Sequence, residues 1–224
     1  MRADVFLVEG GHAATRSQAQ RLIASGVEWR LTPLSAWNKV VKNGDDIPPM
    51  AEVRLLDDAE AKYISRGGLK LEGALAASGL QVAGRRCLDV GQSTGGFTDC
   101  LLQRGATKVF AVDVGVAQLH AKLLADPRVV AHEGTNAREI TADFLGGAVD
   151  LVVVDASFIG LGKLMEAIAR CTKPGGALVA LVKPQFEAGR DAVTKGRGVI
   201  RDEAVRTAAI ERAVASVKEA GYTI

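Results

Sequence analysis

The amino-acid sequence predicts an α/β protein with an open parallel sheet, preceded by a smaller α+β unit. Between residues 86 and 220, apolar segments of strand length alternate with helical segments. This alternation is typical of parallel strands joined by right-handed crossovers. Residues 1–60 instead carry two short helical segments followed by hairpin-like pieces. We therefore predict a first domain at 1–60, a linker at 61–64 and a second domain at 65–224.

A capping pattern marks the longer helix of the first unit. Thr15 precedes the helix predicted at 16–25, and Gln18 stands three residues after Thr15, as in a capping box. Gly26 follows this helix, and glycine is the residue that most readily ends one. A shorter helix is predicted at 4–9. Strands are predicted at 27–31, 39–41 and 52–55, with a turn at 43–46.

The larger unit is predicted from its apolar runs and from the helical segments between them. Strands are predicted at 86–90, 108–112, 129–132, 151–155 and 177–182. Helices are predicted at 66–77, 96–104, 116–124, 161–170 and 202–220. Ser65 is placed to cap the first of these helices.

The segment 87–98 combines a strand, a glycine turn and the start of a helix. Its strand ends in Asp89, and its glycines follow a G-x-x-x-G-G order that begins at Gly91. The next strand ends in a second acid, Asp113, where such folds usually hold a ribose hydroxyl. The order differs from the G-x-G-x-x-G of dinucleotide sites and from a phosphate-binding P-loop. The arrangement favours S-adenosylmethionine, an adenosine cofactor that carries a cationic amino acid and no pyrophosphate.

Composition excludes several other classes of protein. The chain has 224 residues and a formal net charge of only +2, so no global polycation argument applies. Its three cysteines, Cys87, Cys100 and Cys171, are widely spaced and form no C-x-x-C motif. We expect reduced buried thiols, with neither zinc nor disulfides. Because no signal-peptide pattern and no membrane-length apolar run is present, we expect a cytoplasmic protein without a membrane partner.

Two charged residues follow neighbouring apolar strands of the larger unit. Asp155 ends the strand predicted at 151–155, and Lys183 follows the one at 177–182. Ligands of open parallel sheets bind beyond the carboxyl ends of the strands, so both side chains are predicted to point at one crevice. Lys70 lies on the helix that leads into the first strand and is a third candidate for this site.

The first unit resembles an S4 domain, the small RNA-binding module of ribosomal protein S4 and of several RNA-modifying enzymes. The resemblance rests on Arg2-Ala3-Asp4, on Thr15 to Ile23 and on Gly26-Val27. It implies that the helix at 16–25 and the adjacent hairpin face structured RNA. The residues predicted to contact RNA are Arg2, Arg16, Ser17, Arg21, Lys39 and Arg66.

The whole chain resembles the hemolysin A (TlyA) family, which joins an S4 domain to an FtsJ-type RNA ribose 2′-O-methyltransferase. The resemblance rests on the motifs at 65–71, 89–98, 154–159 and 181–186. It implies a Rossmann-like S-adenosylmethionine-dependent methyltransferase sheet, a substrate in ribosomal RNA and no metal. Carried over, the catalytic residues are Lys70, Asp155 and Lys183. The predicted cofactor-binding residues are Asp89, Gly91, Ser93, Gly95, Gly96, Phe97, Thr98, Asp113, Val114, Asn136 and Asp155.

Two departures from the family accompany this resemblance. Gln92 stands where alanine is commoner. The family continues past the equivalent of Ile224 with a strand pair and the Glu that completes its catalytic tetrad, so we expect both to be absent from these 224 residues. We also expect the last strand present to be left with an exposed edge.

Three other functions remain open from the sequence. A noncatalytic RNA-binding or ribosome assembly factor would lack the fourth catalytic residue, as this chain is expected to. A membrane-active hemolysin is suggested only by the family's name. A nicotinamide-dependent oxidoreductase is disfavoured by the glycine order. The methylated nucleotide and the oligomeric state are left undetermined.

Overall fold

The computed structural model describes residues 1–56, 62–187, 200 and 202–224. Its chain divides into two compact units, Met1–Gly73 and Ala74–Ile224. Part of the linker predicted at 61–64 lies outside the described residues.

The first unit contains two helices and a three-stranded antiparallel sheet. The elements are α1 (Ala3–Glu9), α2 (Arg16–Ser25), β1 (Val27–Arg30), β2 (Asn38–Lys39) and β3 (Glu52–Leu55), with sheet order β2-β1-β3. The α3 helix (Gly67–Ser78) begins in this unit and continues into the next. Leu7, Leu22 and Ile47 are fully buried in the core of the first unit.

The α2 helix begins and ends where the sequence predicts, but its cap differs in one contact. The Thr15 hydroxyl accepts a hydrogen bond from the Gln18 amide at 3.2 Å, as in a capping box. The Gln18 side chain, however, accepts from the Ala14 amide at 2.6 Å instead of the Thr15 amide. Gln18 also donates to the Tyr63 carbonyl, so a tertiary contact fixes its orientation.

The second unit contains a five-stranded parallel sheet, as the sequence predicts. Its strands are β4 (Arg86–Val90), β5 (Lys108–Val112), β6 (Val129–His132), β7 (Val149–Val154) and β8 (Thr172–Ala180). Their order in the sheet is β6-β5-β4-β7-β8. The helices are α4 (Gly96–Gln103), α5 (Ala121–Leu124), α6 (Met165–Cys171), α7 (Pro184–Glu187) and α8 (Glu203–Glu219), with a 3₁₀ turn at Leu161–Lys163.

The central strands β4, β5 and β7 are apolar and almost entirely buried, which is typical of parallel sheets that are covered on both faces. Four of the six residues of β7, Leu151 to Val154, are buried in succession. Cys87, Cys100 and Cys171 are buried, as expected. In the described part of the chain β8 is an edge strand, and an open groove of about 790 Å³ lies between it and α8.

The prediction of a helix at 116–124 is wrong for most of its length, because only Ala121–Leu124 is helical. Ala117 adopts a left-handed backbone with φ +54°. The carboxylate of Glu133 accepts hydrogen bonds from the amides of Ala117, Gln118 and Leu119 at 2.7–3.0 Å. A side chain that follows β6 therefore binds the amides of this segment, and the left-handed backbone of Ala117 keeps the helix from starting before Ala121.

Candidate active site

An ion pair between a lysine and an aspartate lies at the carboxyl edge of the parallel sheet. Asp155 follows β7 directly, and Lys183 lies three residues beyond the end of β8. Because β7 and β8 are parallel neighbours, both side chains emerge at the same edge. The Lys183 Nζ lies 2.6 Å from Asp155 Oδ1, and each side chain is 20% exposed. The two groups predicted to share a crevice are thus in contact, while their catalytic role stays a prediction.

The Lys183 ammonium has two further acceptors. It donates to the Asp155 carbonyl at 3.1 Å and to the Ser157 hydroxyl at 2.9 Å. These two hydrogen bonds use two of the three hydrogens that an ammonium can donate. The long lysine side chain is therefore held in one place, and a substrate oxygen can be presented to it in a fixed geometry.

The glycine turn after β4 lies directly against this pair. Gly91 and Gly95 have φ angles of +86° and +99°, a backbone region that favours glycine, and Ser93 has φ +48°. A Cβ atom added to Gly91 would lie 2.9 Å from the backbone of Asp155 and Ala156. Glycine is therefore required at this position both for its conformation and for the close approach of the two loops.

The acid after the second strand joins the loops of β4 and β5. Asp113 accepts hydrogen bonds from the amides of Ser93 at 2.9 Å and Gly115 at 2.8 Å. Its own carbonyl accepts from the Thr135 amide, which brings the segment of Asn136 to the same edge. Val114 is 73% exposed beside it. Asp113 thus orders the predicted cofactor loop through backbone contacts, in addition to the ribose contact expected of it.

Four of the predicted cofactor residues lie behind the loop. Asp89, Phe97 and Thr98 are buried, as is Gly96 at the start of α4. The Thr98 hydroxyl donates to Asp89 Oδ2 at 2.7 Å. These residues support the glycine turn from behind. Among them, only Asp89 has an ionisable side chain.

Asp89 is a buried acid without a cation partner among the described residues. Burial raises its pKa to about 7, against the hydrogen bond from Thr98, and the charges of Asp155 and Asp113 raise it further. Its Oδ1 atom is buried and has no hydrogen-bond partner in the described part of the chain. A cationic ligand above the glycine turn would relieve both conditions. The turn without Cβ atoms and the unpaired acid therefore fit a positively charged adenosyl ligand.

The sequence did not indicate a role for Glu133, and it did not indicate the hydrogen-bond partner of Asn136. Glu133 follows β6 and accepts three loop amides, which lower its pKa, with Leu119 contributing most. The Asn136 side chain donates to Glu139 at 2.7 Å. An acid immediately after a strand is the only signal that could have indicated Glu133, and its partners are distant in sequence.

An exposed aromatic pair lies beside the ion pair. Phe158 is 90% exposed and has φ +65°, a left-handed backbone that is unusual for an aromatic residue. Its ring lies 5.3 Å from that of Phe186, centroid to centroid. Backbone strain of this kind concentrates at functional sites, so the two rings mark the crevice beside Lys183.

The residues predicted to contact RNA lie in the first unit. Lys70, which is predicted to be catalytic, lies in the same unit on α3. Arg2 and Arg16 pair with the buried Asp4, at 3.1 Å and 2.7 Å, while their own side chains remain more than half exposed. Arg21 donates to the carbonyl of Ser17 within α2. Lys39 is exposed on β2, and Arg66 immediately precedes α3. The roles predicted for these six residues and for Lys70 stay predictions.

The described residues contain neither a cluster of metal ligands nor a membrane-spanning helix. No three His, Cys, Asp or Glu side chains in the described ranges converge as a metal site would require. No helix in these ranges is long and apolar enough to cross a membrane.

The parallel sheet, the glycine turn and the acid-lined edge are those of a methyltransferase. Residues 63–223 match the FtsJ-like methyltransferase family, and the chain belongs to that family. It is also 44% identical over 221 residues to the 16S/23S rRNA (cytidine-2′-O)-methyltransferase TlyA of Mycobacterium tuberculosis H37Rv, which covers 99% of this chain and 80% of that protein.

Two further comparisons support this relationship. Hemolysin A of Brachyspira hyodysenteriae is 38% identical over 225 residues, covering 99% of this chain and 90% of that protein. A solved structure from Streptococcus thermophilus, described as a hemolysin, is 38% identical with a TM-score of 0.74 and covers 100% of this chain and 80% of its own. The family resemblance inferred from the motifs is therefore confirmed for the methyltransferase part.

Proposed function

We propose that this protein transfers a methyl group from S-adenosylmethionine to a ribose 2′-hydroxyl of ribosomal RNA, acting on ribosomal subunits in the cytoplasm. The observation that carries this proposal is the Lys183–Asp155 pair, which lies against the Gly91 turn at the carboxyl edge of the sheet. The name of the relative from M. tuberculosis supports the choice of substrate and of the oxygen that is methylated.

The proposed mechanism depends mainly on positioning. S-adenosylmethionine supplies a methyl group that its sulfonium has already activated. Lys183 would donate a hydrogen bond to the 2′-oxygen and stabilise the negative charge that develops there while the hydroxyl proton passes to water. The oxygen would gain the methyl group as the methyl–sulfur bond breaks, which leaves S-adenosylhomocysteine. Asp155 holds Lys183 in place, and Lys70 is proposed to steer the ribose. Alignment of this kind can account for roughly 7–11 kcal/mol of a reaction barrier.

The aromatic pair supplies a surface for the target nucleotide. Proteins that act on unpaired RNA stack its bases on aromatic side chains. The exposed ring of Phe158, backed by Phe186, lies next to Ser157 and Lys183. A base stacked there would bring its own ribose towards the ammonium of Lys183.

The first unit is proposed to bind RNA as an S4-like domain. The proposal depends on where the fold places the exposed basic side chains of α2 and β2. It does not depend on a large excess of positive charge. Arg2 and Arg16 each keep donors available beyond those bound to Asp4, because a guanidinium carries five N–H groups. Phosphate contacts from these residues would orient the substrate without specifying its sequence.

A substitution at Lys183 tests this proposal. Lys183→Ala is expected to lower methyl transfer to ribosomal subunits by about 10²- to 10⁴-fold, because it removes the group that stabilises the reacting oxygen. Transfer is measured with a tritiated methyl donor. The affinity for S-adenosylhomocysteine, measured by calorimetry, is expected to change little.

The same two strands provide a matched control. Lys173 pairs with Asp150 at 2.7 Å at the opposite, amino end of the sheet, away from the glycine turn. Lys173→Ala removes an ion pair of the same kind and is expected to leave the turnover rate nearly unchanged. Equal losses in the two variants would mean a general folding effect and would contradict the proposed role of Lys183. Full activity of Lys183→Ala would also contradict it.

A further inference from the structure

Two loops of the active site are fastened together at three separate points. The first loop runs from Asp155 to Gly160, after β7, and the second segment runs from Lys183 through α7. The Lys183 ammonium bonds to Asp155 and to the Ser157 hydroxyl. The rings of Phe158 and Phe186 are in contact. We refer to residues 155–160 as the β7 loop.

The third point of contact is made by Glu187, which neither the predicted site nor the proposed mechanism uses. Its Oε1 atom accepts a hydrogen bond from the Leu161 amide at 2.6 Å. This amide begins the 3₁₀ turn at Leu161–Lys163, and Gly160 before it provides no side-chain cap. The carboxylate therefore satisfies an amide that the turn itself leaves without a partner.

The two chain segments also approach each other closely at Gly160. A Cβ atom added to Gly160 would lie 3.1 Å from Glu187 Oε2 and 3.3 Å from the Phe186 carbonyl. Leu161 is only 5% exposed and packs in the core of the second unit. The Glu187 bond thus ties the end of the β7 loop to a fixed point and to the segment that carries Lys183.

The strain of the β7 loop requires such a restraint. Phe158 holds a left-handed backbone with its ring exposed, so its own packing contributes little to keeping it there. A strained residue persists only when its surroundings determine its conformation. Here Ser157 is held by Lys183 on one side of Phe158, and Leu161 is held by Glu187 on the other.

We propose that Glu187 and Ser157 are positioning residues that clasp the β7 loop to the segment 183–187 and thereby fix the Lys183 ammonium and the Phe158 ring. The inference rests on the proposed methyl transfer for its kinetic effect. Neither residue is proposed to touch the methyl donor. Glu187 acts as a hydrogen-bond acceptor, so its charge is not what the clasp requires.

The test compares Glu187→Ala, Glu187→Gln and Ser157→Ala. Misplacement of a reacting group by about 1 Å can cost 10²-fold in rate, so kcat of Glu187→Ala is expected to fall roughly 10- to 100-fold. The affinity for S-adenosylhomocysteine and the melting temperature are expected to stay close to those of the wild type. Glu187→Gln keeps an oxygen acceptor for the Leu161 amide and is expected to recover most of the rate.

Glu166→Ala is the matched control. Glu166 lies in the first turn of α6 in the same unit, its side chain is 92% exposed, and among the described residues its ion pair is with Arg170, at 3.6 Å. This variant is expected to match the wild type in every measurement. A rate loss in Glu187→Ala that follows a lower melting temperature, or a Glu187→Gln variant no better than Glu187→Ala, would overturn the proposal.

A second readout does not depend on methyl transfer. The rate at which an amine-reactive acetylating reagent modifies Lys183 is measured by peptide mass spectrometry, with the exposed Lys163 as the internal reference. Ser157→Ala removes one hydrogen bond to the ammonium, and Glu187→Ala frees the segment that carries Lys183 from the Leu161 amide. Each change is expected to raise this rate several-fold. An unchanged labelling rate in both variants would refute the clasp. If labelling rises but the wild type transfers no methyl group, the clasp stands and the proposed function fails.

Discussion

Each of the two units buries one aspartate completely, and the two carboxylates are in opposite electrostatic states. Asp4, in the first unit, accepts hydrogen bonds from Arg2 and Arg16, which hold its pKa well below its usual range. Asp89, in the second, accepts one side-chain hydrogen bond from the neutral Thr98, and burial raises its pKa to about 7. Of these two equally buried aspartates, Asp4 is thus stabilised in its charged form, whereas Asp89 has no cation beside it among the described residues to stabilise its charge.

This contrast separates a structural acid from one that is available to a ligand. A buried charge that is paired and hydrogen-bonded is compatible with a stable fold, whereas an unpaired one shifts its pKa instead. The stability that Asp4 contributes is present at neutral pH and is lost as the pH falls below the pKa of the unfolded chain, near 4. The cation that Asp89 lacks among the described residues is the kind of charge that the proposed methyl donor carries.

The largest effect is expected at the paired acid. Asp4→Asn leaves two arginines without their carboxylate and is expected to lower the melting temperature of the first unit by on the order of 10 °C at pH 7. Both tryptophans of the chain, Trp29 and Trp37, lie in this unit, so intrinsic fluorescence reports its unfolding directly.

Asp46 provides the control for this measurement. Its side chain is 90% exposed and, within the described ranges, pairs with the N-terminal ammonium alone, at 3.5 Å. Asp46→Asn is expected to shift the fluorescence transition by no more than about 1 °C, as surface substitutions usually do. Equal shifts in the two variants would mean that the Asp4 cluster contributes no more than a surface pair.

The next effect concerns the pH dependence of ligand affinity. Because a cationic donor favours the ionised form of Asp89, the affinity for S-adenosylmethionine is expected to rise about tenfold between pH 6 and pH 8 through this group. In Asp89→Asn this contribution should vanish. The donor's own amino group titrates in a similar range, so the quantity to compare is the difference between the two proteins, measured by calorimetry.

Asp143→Asn, at an exposed position of the same unit, is the control for Asp89→Asn. It is expected to show the pH dependence of the wild type. If Asp89→Asn keeps that pH dependence as well, the ionisation of Asp89 does not affect ligand affinity. The difference between Asp4 and Asp89 would then have no role in ligand binding.

The smallest effect is on the stability of the free protein. Between about pH 4 and pH 7 the folded protein retains a proton on Asp89 that the unfolded chain has released, so this group's contribution to stability falls as the pH rises. Asp89→Asn should therefore gain stability relative to the wild type across this window, reaching roughly 5 °C in melting temperature and remaining constant above pH 7. Scanning calorimetry at several pH values measures it. A difference that is independent of pH would place the pKa of Asp89 in its ordinary range.

Much of the sheet could be predicted from the sequence, since buried parallel strands are apolar runs bounded by turns. The bounds predicted for β4, β5 and β6 agree with the structure. The start of β8 could not be predicted in this way. It extends back to Thr172 through Lys173 and two glycines, because Val149 pairs with Thr172 across an irregularity in register. Backbone pairing with a neighbour decided that strand, and its side chains did not.

The sequence by itself determined the alternation of strands and helices, the glycine turn and the acid and lysine at neighbouring strand ends, because periodicity and strand order are local properties. Only the tertiary structure decided that Glu133 binds the loop before α5, that Glu187 holds the β7 loop and that Asp4 and Asp89 differ in pKa. Each of these depends on which group lies within about 3 Å in space, and the partners are often many residues apart along the chain.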